Sequence, residues 1–192
     1  MKKRILGLNA AILAAGAVLT ATLCRKYRLA KEITEEDGAV VRKNDGTKAP
    51  KTVRSDEIEA FECRFSLLAV LEDDLREDTG LKNAVYLLKA VRNDNRVQGI
   101  FRYDDRFGNG EEYPFSASPS FMEELHKLVK KHDLAQYNGI EYEVTGLPDF
   151  YGASLNIRYG SGETIAADDN QDNFLPLSAM SELAALFALQ NK

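Results

Sequence analysis

The chain has 192 residues and a formal net charge of −5. The charge is spread unevenly, because residues 57–192 carry 13 basic and 24 acidic side chains, a net charge of −11. A domain this acidic repels phosphate groups, so its composition argues against nucleic-acid binding and against adhesion to anionic lipid surfaces.

An apolar run occupies residues 5–23 and lies between basic clusters at residues 2–4 and 25–28. A helix of that length spans roughly 28 Å, close to the thickness of the hydrocarbon core of a bilayer. We therefore predict that residues 1–24 form a transmembrane anchor or a signal peptide. The basic N-terminal tail resists translocation, so we expect the N-terminus in the cytoplasm and the rest of the chain outside the cell membrane.

Two features leave the processing of this segment open. The small residues Ala15-Gly16-Ala17 fit the pattern that signal peptidase accepts, and a cut there gives a secreted protein beginning near Val18. Cys24 closes the apolar run at the position of a lipid-modified cysteine. The residue before it, however, is the bulky Leu23, where a lipoprotein needs a small residue.

The next segment, residues 25–56, is polar and holds few large apolar side chains. It contains a turn signal at residues 44–46, and its apolar surface is too small to offset the entropy of ordering the segment. We predict a linker between the membrane segment and a single domain at residues 57–192. A chain that begins at Asp56 is then expected to fold on its own.

Apolar and polar residues alternate in several stretches of this domain, as they do in half-buried strands. In the first stretch Phe61, Cys63 and Phe65 alternate with polar residues. Two other stretches show helical spacing, and the first of them begins with Ser118-Pro119, a cap followed by a first-turn proline. The predicted elements are, in chain order, strands at 58–71, 85–91 and 97–103, a helix at 118–131, strands at 140–145, 155–159 and 164–166, and a helix at 178–189.

This order predicts an α+β fold. Strands and helices that are apolar on one side can bury those sides only against each other. We therefore expect a two-layer sandwich in which a largely antiparallel sheet of about six strands carries two helices on one face. Short turns join the first three strands, so these strands should form an antiparallel meander.

The fifth strand and the turn after it carry a resemblance. Residues 151–159 are YGASLNIRY, and the turn Gly162-Glu163 follows. In these residues the chain resembles uncharacterised exported or membrane-anchored proteins of Gram-positive bacteria. The resemblance implies an extracytoplasmic location and no particular activity.

The sequence contains no recognisable catalytic motif. The two histidines, His126 and His132, are separated by about 240° around the predicted helix, so they cannot share a metal ion as an i, i+4 pair would. A Cys63 nucleophile activated by His126 is an alternative. Cys63 lies on the apolar side of its strand, however, and a buried cysteine usually serves as inert packing.

Asp168, Asn170 and Asp172 occupy the first, third and fifth positions of a calcium-loop pattern. The twelfth position is Ala179, where the pattern needs a bidentate glutamate. A calcium site and an acidic, asparagine-rich turn before a helix are therefore two interpretations of the same residues, and we favour the turn. No other cofactor is predicted.

Acidic pairs at residues 73–74, 104–105 and 111–112 suggest a hydrolase that acts on envelope glycans with two carboxyl groups. Neighbours in a strand point to opposite faces, which makes such pairs poor evidence for a shared active site. We therefore favour a membrane-tethered, extracytoplasmic binding or accessory module over an enzyme. Its expected partner is a protein or another component of the cell envelope.

The alternation also predicts where a partner binds. If Phe65, Phe101 and Ile157 face the helices, their polar neighbours face away. We favour an ordinary solvated face, since antiparallel sheets often have one wet side. A recognition surface is the alternative, because arginines concentrated on that face would stand out in an acidic domain. The face should display Glu62, Arg64, Gln98, Arg102, Glu141, Glu143, Asn156 and Arg158, and the candidate binding residues are Arg64, Arg102, Glu143, Asn156 and Arg158.

Overall fold

The structure is a computed structural model that describes residues 32–36, 39–68, 81–105, 107–146 and 151–191. The chain divides into two compact units, Met1–Glu32 and Ile33–Lys192, and every described residue except Glu32 belongs to the second. The predicted anchor or signal peptide at residues 1–24 lies outside the described residues. Within the described ranges no helix is both long and apolar enough to cross a membrane.

The described part of the chain contains nine strands, two α-helices and two short 3-10 turns. The helices are α1 (Ser120–Lys131) and α2 (Leu177–Ala188), and the 3-10 turns are Leu134–Tyr137 and Leu189–Asn191. The strands are β1 (Glu32–Glu36), β2 (Ala39–Asp45), β3 (Ile58–Ser66), β4 (Val85–Asn93), β5 (Arg96–Asp104), β6 (Gly110–Ala117), β7 (Ile140–Val144), β8 (Ala153–Tyr159) and β9 (Thr164–Asp169).

All nine strands belong to one sheet, in the order β1-β2-β7-β9-β8-β3-β4-β5-β6. The register is defined for the eight strands β2 to β9, and each of those pairings is antiparallel except that of β7 with β9. The predicted α+β class, largely antiparallel sheet and pair of helices are confirmed, and so is the meander of β3, β4 and β5. The predicted number of about six strands is wrong.

Two of the unpredicted strands, β1 and β2, lie in the predicted linker at residues 25–56. Val41 of β2 lies opposite Val144 of β7. This polar strand is therefore ordered by pairing with a strand that lies far along the chain. The chain after β2 is also fastened to the domain. Lys51 Nζ donates to the Asn138 carbonyl at 2.7 Å, and Asn138 Nδ2 donates to the Pro50 carbonyl at 2.9 Å. The ordered domain therefore begins before residue 57.

The other unpredicted strand is β6, which occupies the edge of the sheet beside β5. Tyr113 and Phe115 are half-buried, while Pro114 between them is exposed. A proline is tolerated at an edge because its missing N–H is not needed for pairing there. The ring of Phe115 lies against Gly99 of β5, where a Cβ atom would collide with it.

Both helices pack on the same face of the sheet. The ring of Phe187 in α2 lies 5.9 Å from that of Phe61 in β3 and 5.1 Å from that of Phe121 in α1, measured between centroids. Phe115 of β6 completes this group, at 5.2 Å from Phe121 and 5.7 Å from Phe187. These aromatic contacts join both helices to one side of the sheet. The core lies between the helices and the sheet.

Candidate functional site

The face of the sheet turned away from α1 and α2 is called the open face below. Phe61 packs against Phe187, so its strand neighbour Glu62 must point to the open face. Glu62 lies opposite Asn156 of β8, and Arg64 lies opposite Ser154 of the same strand. The pairings across the sheet extend this face to Gln98 and Arg102 of β5, Glu141 and Glu143 of β7, and Arg158 of β8.

The structure therefore places all the candidate binding residues on one face, although they are spread over several strands. Most of their charges are neutralised locally. Arg102 binds Asp104 through Nε at 2.7 Å and Nη2 at 3.0 Å, and Arg158 Nε lies 3.1 Å from Glu59. Arg42 Nη1 of β2 lies 3.1 Å from Glu143. The open face is thus a surface of ion pairs, and the role of these residues in binding stays a prediction.

The open face also carries an apolar strip that the sequence prediction does not include. It consists of Leu87 and Val91 of β4, Ile100 of β5 and Pro114 of β6. Ile100 lies opposite Pro114 on one side and opposite Lys89 on the other. Leu87, Val91 and Ile100 are half-buried, and Pro114 is exposed. Partly exposed apolar patches with a polar rim are typical of protein contact sites.

A signal for this strip was present in the sequence. Residues 85–91, predicted as a strand, read VYLLKAV and are mostly apolar, and a run of that kind has apolar side chains on both faces of its strand. Leu88 is fully buried beneath the helices, so Leu87 has to point the other way. Applying the alternation to β4 itself would have placed Leu87 and Val91 on the open face.

A second exposed apolar group lies at the tip of the β5–β6 hairpin. Phe107 is 74% exposed, the largest value among the exposed large apolar side chains of the described residues. Its loop is held by Asp105, whose Oδ1 accepts hydrogen bonds from the backbone N–H groups of Phe107 at 2.8 Å and Asn109 at 2.9 Å. The loop belongs to the same hairpin as Ile100 and Pro114.

The calcium-like residues do not converge on one point. Asp168 lies on the open face, opposite Ser154. Asn170 instead forms two hydrogen bonds with the backbone of Val144, and the Asp172 carboxylate accepts from the N–H of Asn173 at 2.8 Å. In the described ranges no three His, Cys, Asp or Glu residues are grouped so as to hold a metal ion. The turn remains the favoured prediction, and calorimetric titration with calcium tests the alternative directly.

The acidic pairs are also dispersed. Residues 73–74 lie outside the described residues. Glu111 and Glu112 face opposite sides of β6: Glu111 accepts a hydrogen bond from the Tyr113 hydroxyl, whereas Glu112 lies 3.9 Å from Arg102. Asp104 binds Arg102, and Asp105 holds its own loop. The neighbours thus point in different directions, and the hydrolase alternative gains no support from their geometry.

Cys63 and His126 have different surroundings. Cys63 is fully buried, and burial raises the pKa of its thiol far above the usual range, which keeps it protonated. His126 is 7% exposed, and neither of its ring nitrogens has a hydrogen-bond partner in the described part of the chain. Its ring contacts Tyr159 edge-on at 6.0 Å, and burial lowers its pKa. A buried, protonated thiol is a poor nucleophile.

A shallow cleft of about 700 Å³ lies where the chain before β3 crosses the β8–β9 turn. The carboxylate of Glu163 accepts hydrogen bonds from the N–H groups of Arg54 and Ser55, both at 3.0 Å, and from Ser161 Oγ at 2.7 Å. These bonds lower the pKa of Glu163 and fasten two segments together. The cleft is lined by Pro50, Thr52, Arg54, Ser55, Ser161 and Glu163.

We compared the chain with protein-family models, curated proteins and solved structures. None of them matches it. Among the described residues, the apolar strip with its ion-paired surroundings is the feature that best fits a binding role.

Proposed function

We propose that the chain is an extracytoplasmic binding module, tethered to the cell membrane through residues 1–24, and that its open face binds a protein of the cell envelope. The observation that carries the proposal is the apolar strip. Side chains such as Leu87 and Ile100 remain partly in water on the folded domain, so covering them on binding is favourable, by about 25 cal/mol for each Å² of apolar surface.

The charged residues around the strip suit the rim of such an interface. Protein interfaces combine an apolar centre with a polar rim, and arginine is enriched in them. Exposed ion pairs such as Arg102–Asp104 contribute only about 0 to 1 kcal/mol to stability, so stability alone gives little reason to maintain them. Complementary charges at a rim also orient a partner and suppress wrong partners.

The proposed location outside the cytoplasm rests on the N-terminal sequence pattern. The apolar run with its basic flanks and the resemblance to exported proteins both favour a position outside the cytoplasm. The lone domain cysteine, Cys63, neither supports nor opposes this location, since it cannot form an internal disulfide. The acidic composition of residues 57–192 favours a protein partner over the lipid surface beside it.

The binding face is tested by replacing Arg102 and Arg158 with alanine together. Both side chains are half-exposed, so we expect little change in the melting temperature. The same variant should lose capture of the partner from an envelope extract. The matched control replaces Lys127 and Lys130, which are exposed on α1, and should capture normally. Unchanged capture by the arginine variant would reject the open face as the binding surface.

The tether is tested by fractionation of the full chain. We expect the chain to sediment with membranes and to resist extraction by salt, because a buried apolar helix is insensitive to ionic strength. Recovery from the medium with a new N-terminus near Val18 would instead support the signal-peptide alternative.

A further inference from the structure

We propose that the partner of the open face is a second copy of this chain, packed face to face about a two-fold axis through the apolar strip. The inference rests on the proposed function, because it uses the same surface and names its occupant. Three features of the described residues carry it: the charge balance of the face, its area, and the edge strand beside it.

The open face is nearly balanced in charge although residues 57–192 carry a net charge of −11. The aligned strands place as many cations as anions on it, and Glu59, at the bulge in β3, adds one more carboxylate beside Arg158. Two copies of an acidic domain repel each other over most contacts, and a nearly balanced face reduces that repulsion. The six cations are Arg42, Arg64, Lys89, Arg96, Arg102 and Arg158, and the six anions are Glu62, Asp104, Glu112, Glu141, Glu143 and Asp168.

The area of the open face also fits a dimer interface. Eight aligned strands at about 4.8 Å spacing give a width of roughly 34 Å, and strands of this length extend about 20 Å. The product is roughly 700 Å², close to the value of about 800 Å² per partner in an interface of standard size. Two-fold dimers are the commonest symmetric assemblies, and their interfaces must be self-complementary, which requires a face that carries both charges, as the open face does.

The edge of the sheet favours contact through the face. Edge strands invite association side by side, through their unpaired backbone groups. In β6 this is opposed by Pro114, which has no N–H to donate, and by the acidic Glu111 and Glu112. Sheets that pack face to face are about 10 Å apart and interdigitate their side chains. Leu87 and Ile100 provide the apolar side chains for that contact.

The test is the oligomeric state of the full chain, measured by sedimentation equilibrium in density-matched detergent. We expect a reversible dimer whose dissociation constant rises about tenfold or more in Ile100→Lys, because the substitution places a charge at the centre of the interface. Leu189→Lys is the matched control: Leu189 is 56% exposed and follows α2 on the other side of the sheet, so its substitution should leave the dimer intact. Circular dichroism establishes that both variants are folded.

If Ile100→Lys is unfolded, Leu87→Gln is used in its place, because a neutral polar residue at this half-buried position is milder. A monomeric wild-type chain overturns the inference. A dimer that is weakened by neither Ile100→Lys nor Leu87→Gln also overturns it. The two proposals fail separately. A monomer that still captures an envelope protein through Arg102 and Arg158 leaves the proposed function standing, whereas a face-to-face dimer that captures nothing else supports only the inference.

Discussion

The side chain of Asn170 forms both hydrogen bonds that a neighbouring strand would offer to Val144. The N–H of Val144 donates to Asn170 Oδ1 at 3.0 Å, and Asn170 Nδ2 donates to the Val144 carbonyl at 3.1 Å. The amide thereby continues the pairing of β7 beyond the last residue of β9. This explains why an asparagine, with one donor group and one acceptor, lies in a stretch that resembles a calcium loop.

Replacement of Asn170 by aspartate should therefore destabilise the domain even though aspartate fits the calcium-loop pattern as well as asparagine does. The carboxylate keeps the acceptor but loses the donor, so the partly buried Val144 carbonyl is left without its partner. We expect the free energy of unfolding to fall by about 1–3 kcal/mol. Urea denaturation measures the change. Asp172→Asn, at an exposed position, is the control and should have a much smaller effect.

Removal of residues 1–55 should weaken the domain, although the sequence predicts that the remaining chain, which begins at Asp56, folds on its own. The truncation removes β1 and β2, together with the partners of Asn138 and Glu163. At about 0.5–1.5 kcal/mol for each hydrogen bond, we expect a loss of roughly 3–5 kcal/mol relative to a chain that begins at residue 32. Thermal denaturation of the two chains decides the point, and equal melting temperatures would contradict it.

Stability should decrease in mild acid because of His126. The groups that act on its ring are Lys130 on the same helix, Asp56 before β3 and Tyr159 on β8, and burial has the largest effect on the pKa. The pKa is lower in the folded state than the value of about 6.5 in the unfolded chain, so the unfolded state binds the proton more readily. Stability is therefore complete above about pH 6.5 and is lost as the pH falls through the lowered folded-state pKa.

Denaturation midpoints of the wild type and His126→Phe, measured between neutral and mildly acidic pH, test this assignment. The variant should lose less stability on acidification, because phenylalanine fills a similar space without binding a proton. His132→Gln serves as the control. It removes the other histidine, whose Nε2 lies 3.3 Å from Glu182, and it should retain the acid sensitivity that comes from His126. Identical pH profiles for His126→Phe and the wild type would exclude His126 as the cause.

Gly99 should tolerate no side chain. Its position in β5 lies beneath the ring of Phe115, and an added methyl group would overlap several ring atoms. Phe115 cannot move freely, since it also contacts Phe121 and Phe187. We expect Gly99→Ala to lower the free energy of unfolding by about 1–3 kcal/mol, the usual cost of overpacking a core. Restoration of stability by a second substitution, Phe115→Leu, would show that the clash is responsible.

The sequence predicted the parts of the fold that depend on local pattern. The strands around Phe61 and Ile157 alternate clearly, and α1 carries its apolar residues at helical spacing, so their positions followed from periodicity. The open face followed from the same alternation. Its ion pairs could not be predicted, since they depend on which strands are neighbours, as with Arg158 of β8 and Glu59 of β3.

The missed strands lack that local signal. In β6 the apolar residues Tyr113 and Phe115 are interrupted by a proline and preceded by two acids, a composition typical of a loop. An edge strand needs only one paired side, so it forms from residues that would not support a central strand. In β2 the apolar content is small. The strand is ordered by its pairing with β7, which lies far along the chain.

That distance governs how the protein can be assembled during synthesis. Arg42 and Glu143, which meet across β2 and β7, are 101 positions apart in the chain. The ribosome makes the N-terminal strand early, at about 5–20 residues per second, and must add most of the domain before the matching strand exists. During that interval β2 lacks its partner β7, so a chain arrested before residue 140 exposes unpaired backbone groups along one side of this strand. Completion of the sheet at this edge is therefore a late event, and a chaperone that covers β2 in the meantime would raise the yield of folded protein.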